Sequence, residues 1–219
     1  VRIHRHVDYM LLQKSMSVSE SEVDLLGLLS DPLMVEVHFE VFAPVLGAHN
    51  FFRRYAGQLP EAARRVCHTA VKRSSHSRGD VLFSRGNPAI EMFFVRGGTL
   101  QYLNPRAGEN ELVEDGAWLS EAALWTPWVH HGEVRVDSAC TVFALHADHF
   151  GAEVSRGQAA LQSPSLYANL FIAHLNSLPH SQLTDLRLDS FDIRRAVDIA
   201  FIDKGDDIEE DEDEEDGLR

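Results

Sequence analysis

At 219 residues, 44% apolar and 9% aromatic, the chain is long enough for one sizeable core with a helical appendage and has the composition of a globular protein. Its formal charge of −14 is unevenly spread: residues 203–219 hold eleven carboxylates against Lys204 and Arg219, a net −9 that leaves −5 for everything before them. This sign of charge disfavours nucleic acid as a partner, and no apolar run approaches the roughly 18–20 residues of a membrane-crossing helix.

The start, Val1-Arg2-Ile3-His4, lacks the apolar centre of a secretory signal, and the absence of an initiator Met predicts a piece of a longer protein. Cys67 and Cys140 are far apart, without CxxC spacing, which argues against a disulfide scaffold or thiolate metal site; both read as buried small apolar residues in a reducing compartment. After an N-terminal segment, residues 1–24, the pattern turns helical. Met34, Val37 and Val41 follow the 3.6-residue period until Pro44, where an interruption is expected. Phe51, Phe52 and Tyr55 begin a short helix. Pro60 suits a first turn, and the stripe Ala62, Val66, Ala70, widened by Ala63, Cys67 and Val71, predicts an amphipathic helix over Glu61 to Lys72.

From Gly79 the period changes to two. Val81-Leu82-Phe83 follows a Gly-Asp turn, Gly86-Asn87-Pro88 makes another, and Glu91 to Arg96 and Thr99 to Leu103 flank Gly97-Gly98 in the sequence form of a tight hairpin. Val134-Arg135-Val136 and Cys140 to Leu145 read as further strands. Together these predict an antiparallel β-roll over Val81 to Leu145 with helices on both chain sides, an α+β fold. Asp148 to Val154 and Leu166 to Leu178 then read as helices, the second striped by Leu166, Leu170, His174 and Leu178 with Phe171 and Leu175 and ended by Pro179. Asp189 to Ile202 is a weaker helical candidate through Ile193, Val197 and Ala200. In the tail after Asp203, Glu209 to Asp216 is an unbroken acidic block with nothing to bury, expected to be disordered and dispensable for folding.

The segment Gly116-Ala117-Trp118-Leu119-Ser120-Glu121-Ala122-Ala123-Leu124 resembles the phosphate-binding cassette of cyclic-nucleotide-binding domains. The helices before it resemble the C-linker that precedes such a domain in voltage-gated channels of the ether-à-go-go, hyperpolarisation-activated and cyclic-nucleotide-gated type, the likeness covering about Leu25 to Leu178. It implies C-linker-like helices over 25–75, a nucleotide-binding-like jelly-roll domain over 76–178, a C-terminal helix over 179–202 and the acidic tail over 203–219. It also implies a ligand site formed by Gly116, Leu119, Ser120, Glu121, Ala122, His130 and His131, with cAMP or cGMP as a regulatory ligand, no other cofactor and no catalysis. The implied partners are the transmembrane pore of the same protein and three further copies in a homotetramer, on the cytoplasmic face of a membrane.

Two positions depart from the family pattern. Ser120 stands where the cassette has glycine, and His130, followed by His131, stands where an Arg-Thr or Arg-Ala pair would follow. A guanidinium holds phosphate through two parallel hydrogen bonds with a fixed charge, which an imidazole does not supply. Losing a hydrogen bond to a charged group costs about 1.5–3 kcal/mol, or about 10- to 150-fold in affinity, so nucleotide binding is expected to be weak or lost, and His130→Arg with Ser120→Gly to restore it. Glu121 has two uses open to it, the ribose hydroxyl or the capping of local N–H groups. The alternatives are a soluble cyclic-nucleotide sensor of a kinase or scaffold, and a cupin-like metalloprotein. Adjacent His130 and His131 would point to opposite faces of a strand, and neither Glu133 nor the pair His146 and His149 completes a ligand set, so no metal is expected. Trp118, Trp125 and Trp128 read as core or interface anchors.

Overall fold

The computed structural model describes residues 28–104 and 110–202. Its first helix, α1 (Asp31–Leu46), opens with Pro32 in the first turn, where a missing N–H leaves no bond unmade, and runs through Pro44 instead of stopping there. Pro44 lies in the last turn, so only one helical bond is lost before the Gly47 N–H closes onto the Ala43 carbonyl at 2.8 Å. In α2 (Asn50–Gln58) Phe51, Phe52 and Tyr55 are buried, and α3 (Pro60–Ala70) buries the predicted stripe Ala62, Ala63, Val66, Cys67 and Ala70. Both cysteines are buried and free, as expected, and burial pushes the Cys67 thiol up to about 12.

Helix α3 ends at Ala70, and Val71, expected to continue it, opens strand β1 (Val71–His76). The sequence Val-Lys-Arg-Ser-Ser-His has no apolar alternation, and what makes it a strand is pairing with β10 (Cys140–His146), from Val71 opposite Leu145 to His76 opposite Cys140. Between them in sequence come β2 (Val81–Phe83), β3 (Pro88–Ala89), β4 (Glu91–Arg96), β5 (Leu100–Leu103), β6 (Asn110–Val113), β7 (Trp118–Leu119), β8 (Trp128–Val129) and β9 (Glu133–Val136). They form two four-stranded sheets, β1-β10-β4-β7 and β2-β9-β5-β6, and a short β3-β8 pair, all antiparallel. The chain is thus an antiparallel β-roll flanked by helices, as the glycine-punctuated pattern predicts.

The expected hairpin at Gly97-Gly98 is different. Strands β4 and β5 belong to different sheets, and the glycine pair, at φ +66° and +69°, turns the chain from one sheet to the other. A Cβ on Gly98 would strike the Ala139 carbonyl, so the corner requires glycine for space as well as for backbone angle. Strands β4 and β10 are buried on both faces, which is why their sequences are continuously apolar. Met92, Phe94, Phe143 and Leu145 point to a core shared with the helices, while Phe93, Val95, Val142 and Ala144 fill the roll.

After the roll come α4 (Ala147–Val154), α5 (Gln158–Ser177) and α6 (Ile193–Ala200). Helix α5 begins ahead of the predicted Leu166 and contains Pro164. The Asp192 carboxylate caps α6 by accepting from the Arg195 N–H at 3.1 Å. The readings of residues 1–24 and of the acidic tail lie outside the described residues.

Candidate functional site

Strand β7 leads into a single 3-10 turn, Glu121–Leu124, preceded by Ser120 in the left-handed region at φ 60° and ψ 35°. For a residue with a Cβ that conformation costs about 1 kcal/mol. It is held from both sides: the Ser120 N–H donates to the Asp185 carbonyl at 2.6 Å, and its carbonyl accepts from the Ala123 N–H at 3.0 Å. The turn sends Ser120 and Glu121 into different environments.

Glu121 is buried against the helices. Its Oε2 lies 3.1 Å from His49 Nε2, and the Tyr167 hydroxyl of α5 donates to its Oε1 at 2.7 Å. His49 precedes α2 and caps it, Nδ1 accepting from the Phe51 N–H at 3.2 Å, so Nε2, the nitrogen beside Glu121, is the one that carries the ring proton. Burial pushes the Glu121 carboxyl up, but the His49 imidazole and the Tyr167 hydroxyl outweigh it and hold the group below its ordinary value. Burial and the adjoining carboxylate together raise the Tyr167 hydroxyl far above the usual phenol range. These Glu121 contacts are with side chains, on α5 and at the α1–α2 junction, a use different from both the ribose hydroxyl and the local N–H groups read from the sequence.

Ser120 faces the roll, and what lies there is another part of the chain. Between α5 and α6 the segment Leu183-Thr184-Asp185-Leu186-Arg187-Leu188 crosses the cassette. Leu183 and Leu188 pack on the helical core, Leu186 on the core of the roll, and the Arg187 guanidinium lies 5.3 Å from the centre of the Trp118 ring. Asp185 is only 1% exposed. Its Oδ1 accepts from Trp128 Nε1 at 2.9 Å and His130 Nδ1 at 3.1 Å; its Oδ2 accepts from the Tyr102 hydroxyl at 3.0 Å and from the N–H groups of His131 and Gly132 at 2.7 and 2.9 Å. His130 is itself fixed, stacked on Phe83 with centroids 3.7 Å apart. Gly132 is required by proximity, since a Cβ there would run into the Tyr102 ring. Burial raises the Asp185 carboxyl, but the His130, Trp128 and Gly132 donors more than reverse this and hold it below its ordinary value. The Tyr102 hydroxyl, buried beside that carboxylate, is pushed up to about 12.

The sign of these shifts sets an acid limit. A carboxylate with a depressed folded-state pKa contributes stability that is present above its ordinary value, 3.8 for Asp185 and 4.5 for Glu121, and is lost as pH falls through the depressed one. The thermal midpoint is therefore expected to hold between about pH 7 and 5 in this contribution and to fall below about pH 4. A midpoint-against-pH series checks it, with a shallower acid fall expected in Asp185→Asn.

Of the residues the resemblance assigns to a ligand, Ser120, His130 and His131 converge, all on Asp185. Leu119 is buried inside the roll, Ala122 in the helical core, and Gly116 lies in the turn before β7, its N–H donating to the Val95 carbonyl at 3.0 Å. His130 and His131 lie in the loop between β8 and β9, not on a strand. His146 and His149 stack on each other at 4.4 Å, and among the described residues no group of three or more His, Cys, Asp or Glu is placed to hold a metal ion. Sequence reasoning passed over His49, Tyr102, Tyr167 and Asp185. For Asp185 a signal existed: the run Leu-Thr-Asp-Leu-Arg-Leu between two helices places three leucines in six residues, more apolar surface than a solvated connection carries, without the period of either a helix or a strand.

No family model matches the chain. Over 151 residues it is 28% identical to the potassium/sodium hyperpolarization-activated cyclic nucleotide-gated channel 3 of Homo sapiens, and equally to those of Mus musculus and Rattus norvegicus. The similarity covers 69% of this chain but only 18% of each relative, so the chain spans under a fifth of their length. Among the described residues no helix is long and apolar enough to cross a membrane.

Proposed function

We propose that this chain is a non-catalytic regulatory region of an ion channel, on the cytoplasmic face, whose cyclic-nucleotide-binding-type roll is filled by its own segment 183–188 and has little or no affinity for cyclic nucleotides. The similarity to the cyclic nucleotide-gated channels supports the type of domain and its channel context. The observation that carries the rest is the Asp185 carboxylate, an internal anion surrounded by five donors beside the cassette, with His130 on it at the position where the family pattern has its phosphate-binding arginine.

The partners in this reading are the pore of the same protein and further copies of the chain in a tetramer. Regulation runs through the joints on either side of the cassette: Asp185 ties it to the segment between α5 and α6, and Glu121 ties it to Tyr167 on α5 and to His49 ahead of α2. A change that releases segment 183–188 shifts α5 and α6, and through Glu121 the linker helices, with a coupling of about 1–3 kcal/mol typical of such two-state elements. Calorimetric titration of the unmodified chain with cAMP and cGMP at pH 7.5 is expected to show no saturable binding up to about millimolar ligand, about −4 kcal/mol. Micromolar binding would sink the self-occupied reading. The channel context is tested separately, by whether the full-length transcript encodes membrane-spanning helices ahead of Val1.

A further inference from the structure

Away from the cassette, α2 and α6 leave a cleft of about 630 Å³ between them, lined by Asn50, Arg53, Arg54 and Gln58 on one side and Arg194 and Asp198 on the other. Adjacent positions on α2 point Arg53 and Arg54 about 100° apart, and Arg194, in the first turn of α6, completes the wall from across the gap. All three arginines are exposed, and among the described residues none of them is in an ion pair. Arg53 donates to the Asn50 side-chain oxygen, a neutral partner. Elsewhere Arg64, Arg65, Arg96, Arg135 and Arg156 each reach a carboxylate. Three guanidiniums facing one carboxylate, Asp198, thus make a locally positive cleft in a chain of net charge −14.

Chemistry narrows the occupant. Guanidinium groups hold phosphate oxygens through paired hydrogen bonds, and three of them around one space suit neighbouring phosphates better than a single monoanion. The wall offers one apolar side chain, Val197, and no aromatic ring, so it has nothing on which a nucleobase could stack. We propose that the α2–α6 cleft binds a compact polyphosphate, with at least two neighbouring phosphate groups and no aromatic part. A soluble polyphosphate and the phosphorylated headgroup of a membrane lipid share this chemistry. The occupant braces α2 against α6, and α2 begins one residue after His49, the group that holds Glu121. The inference is independent of whether the roll takes a nucleotide.

The test is titration of the full chain with inorganic tripolyphosphate at about 50 mM salt, where screening is modest. Saturable binding is expected, weakened about tenfold or more by Arg53→Ala with Arg194→Ala, substitutions at exposed positions, and unchanged by Arg135→Ala, an exposed arginine paired with Glu133 on the far sheet. Co-sedimentation with phosphatidylcholine vesicles, plain or containing a phosphorylated inositol lipid, separates the sources: binding to the phosphorylated vesicles alone assigns a headgroup, and binding of tripolyphosphate alone assigns a soluble ion. Failure to bind in both arms overturns the proposal, as does binding that the double variant leaves within about twofold. Binding that emerges only when residues 203–219 are removed also overturns it, because the acidic run of the chain would then be the occupant.

Discussion

Replacing Asp185 by alanine is expected to lower the thermal midpoint of the chain by about 10 °C. The carboxylate is buried and accepts from Tyr102, Trp128, His130 and the N–H groups of His131 and Gly132, so its removal leaves five donors without their acceptor. Breaking a buried charged network from one side costs about 3–5 kcal/mol, and in a domain of this size each kcal/mol moves the midpoint by about 2–4 °C. Asp185→Asn is an informative intermediate. Its amide keeps one acceptor oxygen, so it satisfies either the pair on Oδ1 or the three on Oδ2, and a fall of about half that of alanine is expected. Scanning calorimetry reads both. A shift below about 2 °C for the alanine variant, with native far-UV dichroism, would show that the segment merely rests on the roll.

How much of this was legible beforehand depends on where the information lay. The amphipathic stripe of α3, the strands around Phe93 and Phe143 and the glycine corners are local patterns, and local patterns give the roll and its helices. The corner at Gly97-Gly98 is locally a hairpin in every respect; only the pairing of β4 with β10 and of β5 with β9 makes it a crossing between sheets. Strand β1 fails for the converse reason, since nothing in Val-Lys-Arg-Ser-Ser-His is apolar after its first residue and its conformation comes from the partner strand. At the cassette the two departures, Ser120 and His130, were visible. Their shared partner was not, because Asp185, to which both are hydrogen-bonded, is 55 residues from His130.

That distance also changes what should happen when the family pattern is restored. From sequence, His130→Arg with Ser120→Gly is enough to recover nucleotide binding, but with Asp185 in place the new guanidinium has a carboxylate within reach and no need of a phosphate. His130→Arg alone is therefore expected to leave the chain without cyclic-nucleotide binding, and adding Ser120→Gly to relieve only the left-handed backbone at that residue. Adding Asp185→Ser to the pair should reverse the outcome. The buried guanidinium then has no counter-charge, a state costly enough to depress the midpoint, and a cyclic phosphate that enters supplies the missing anion. In this triple variant cAMP or cGMP at about a hundred times its dissociation constant should stabilise by about 2.7 kcal/mol, lifting the midpoint by about 5 °C or more, where the unmodified chain shows no lift. Glu121 sets a ceiling on the affinity, since reaching a ribose hydroxyl means leaving His49 and Tyr167. Tyr167→Phe, which removes one of those partners, is expected to tighten binding further in the triple background. A ligand-induced lift in His130→Arg with Asp185 intact would mean that the segment yields to nucleotide, and that Asp185 is not what keeps the cassette closed.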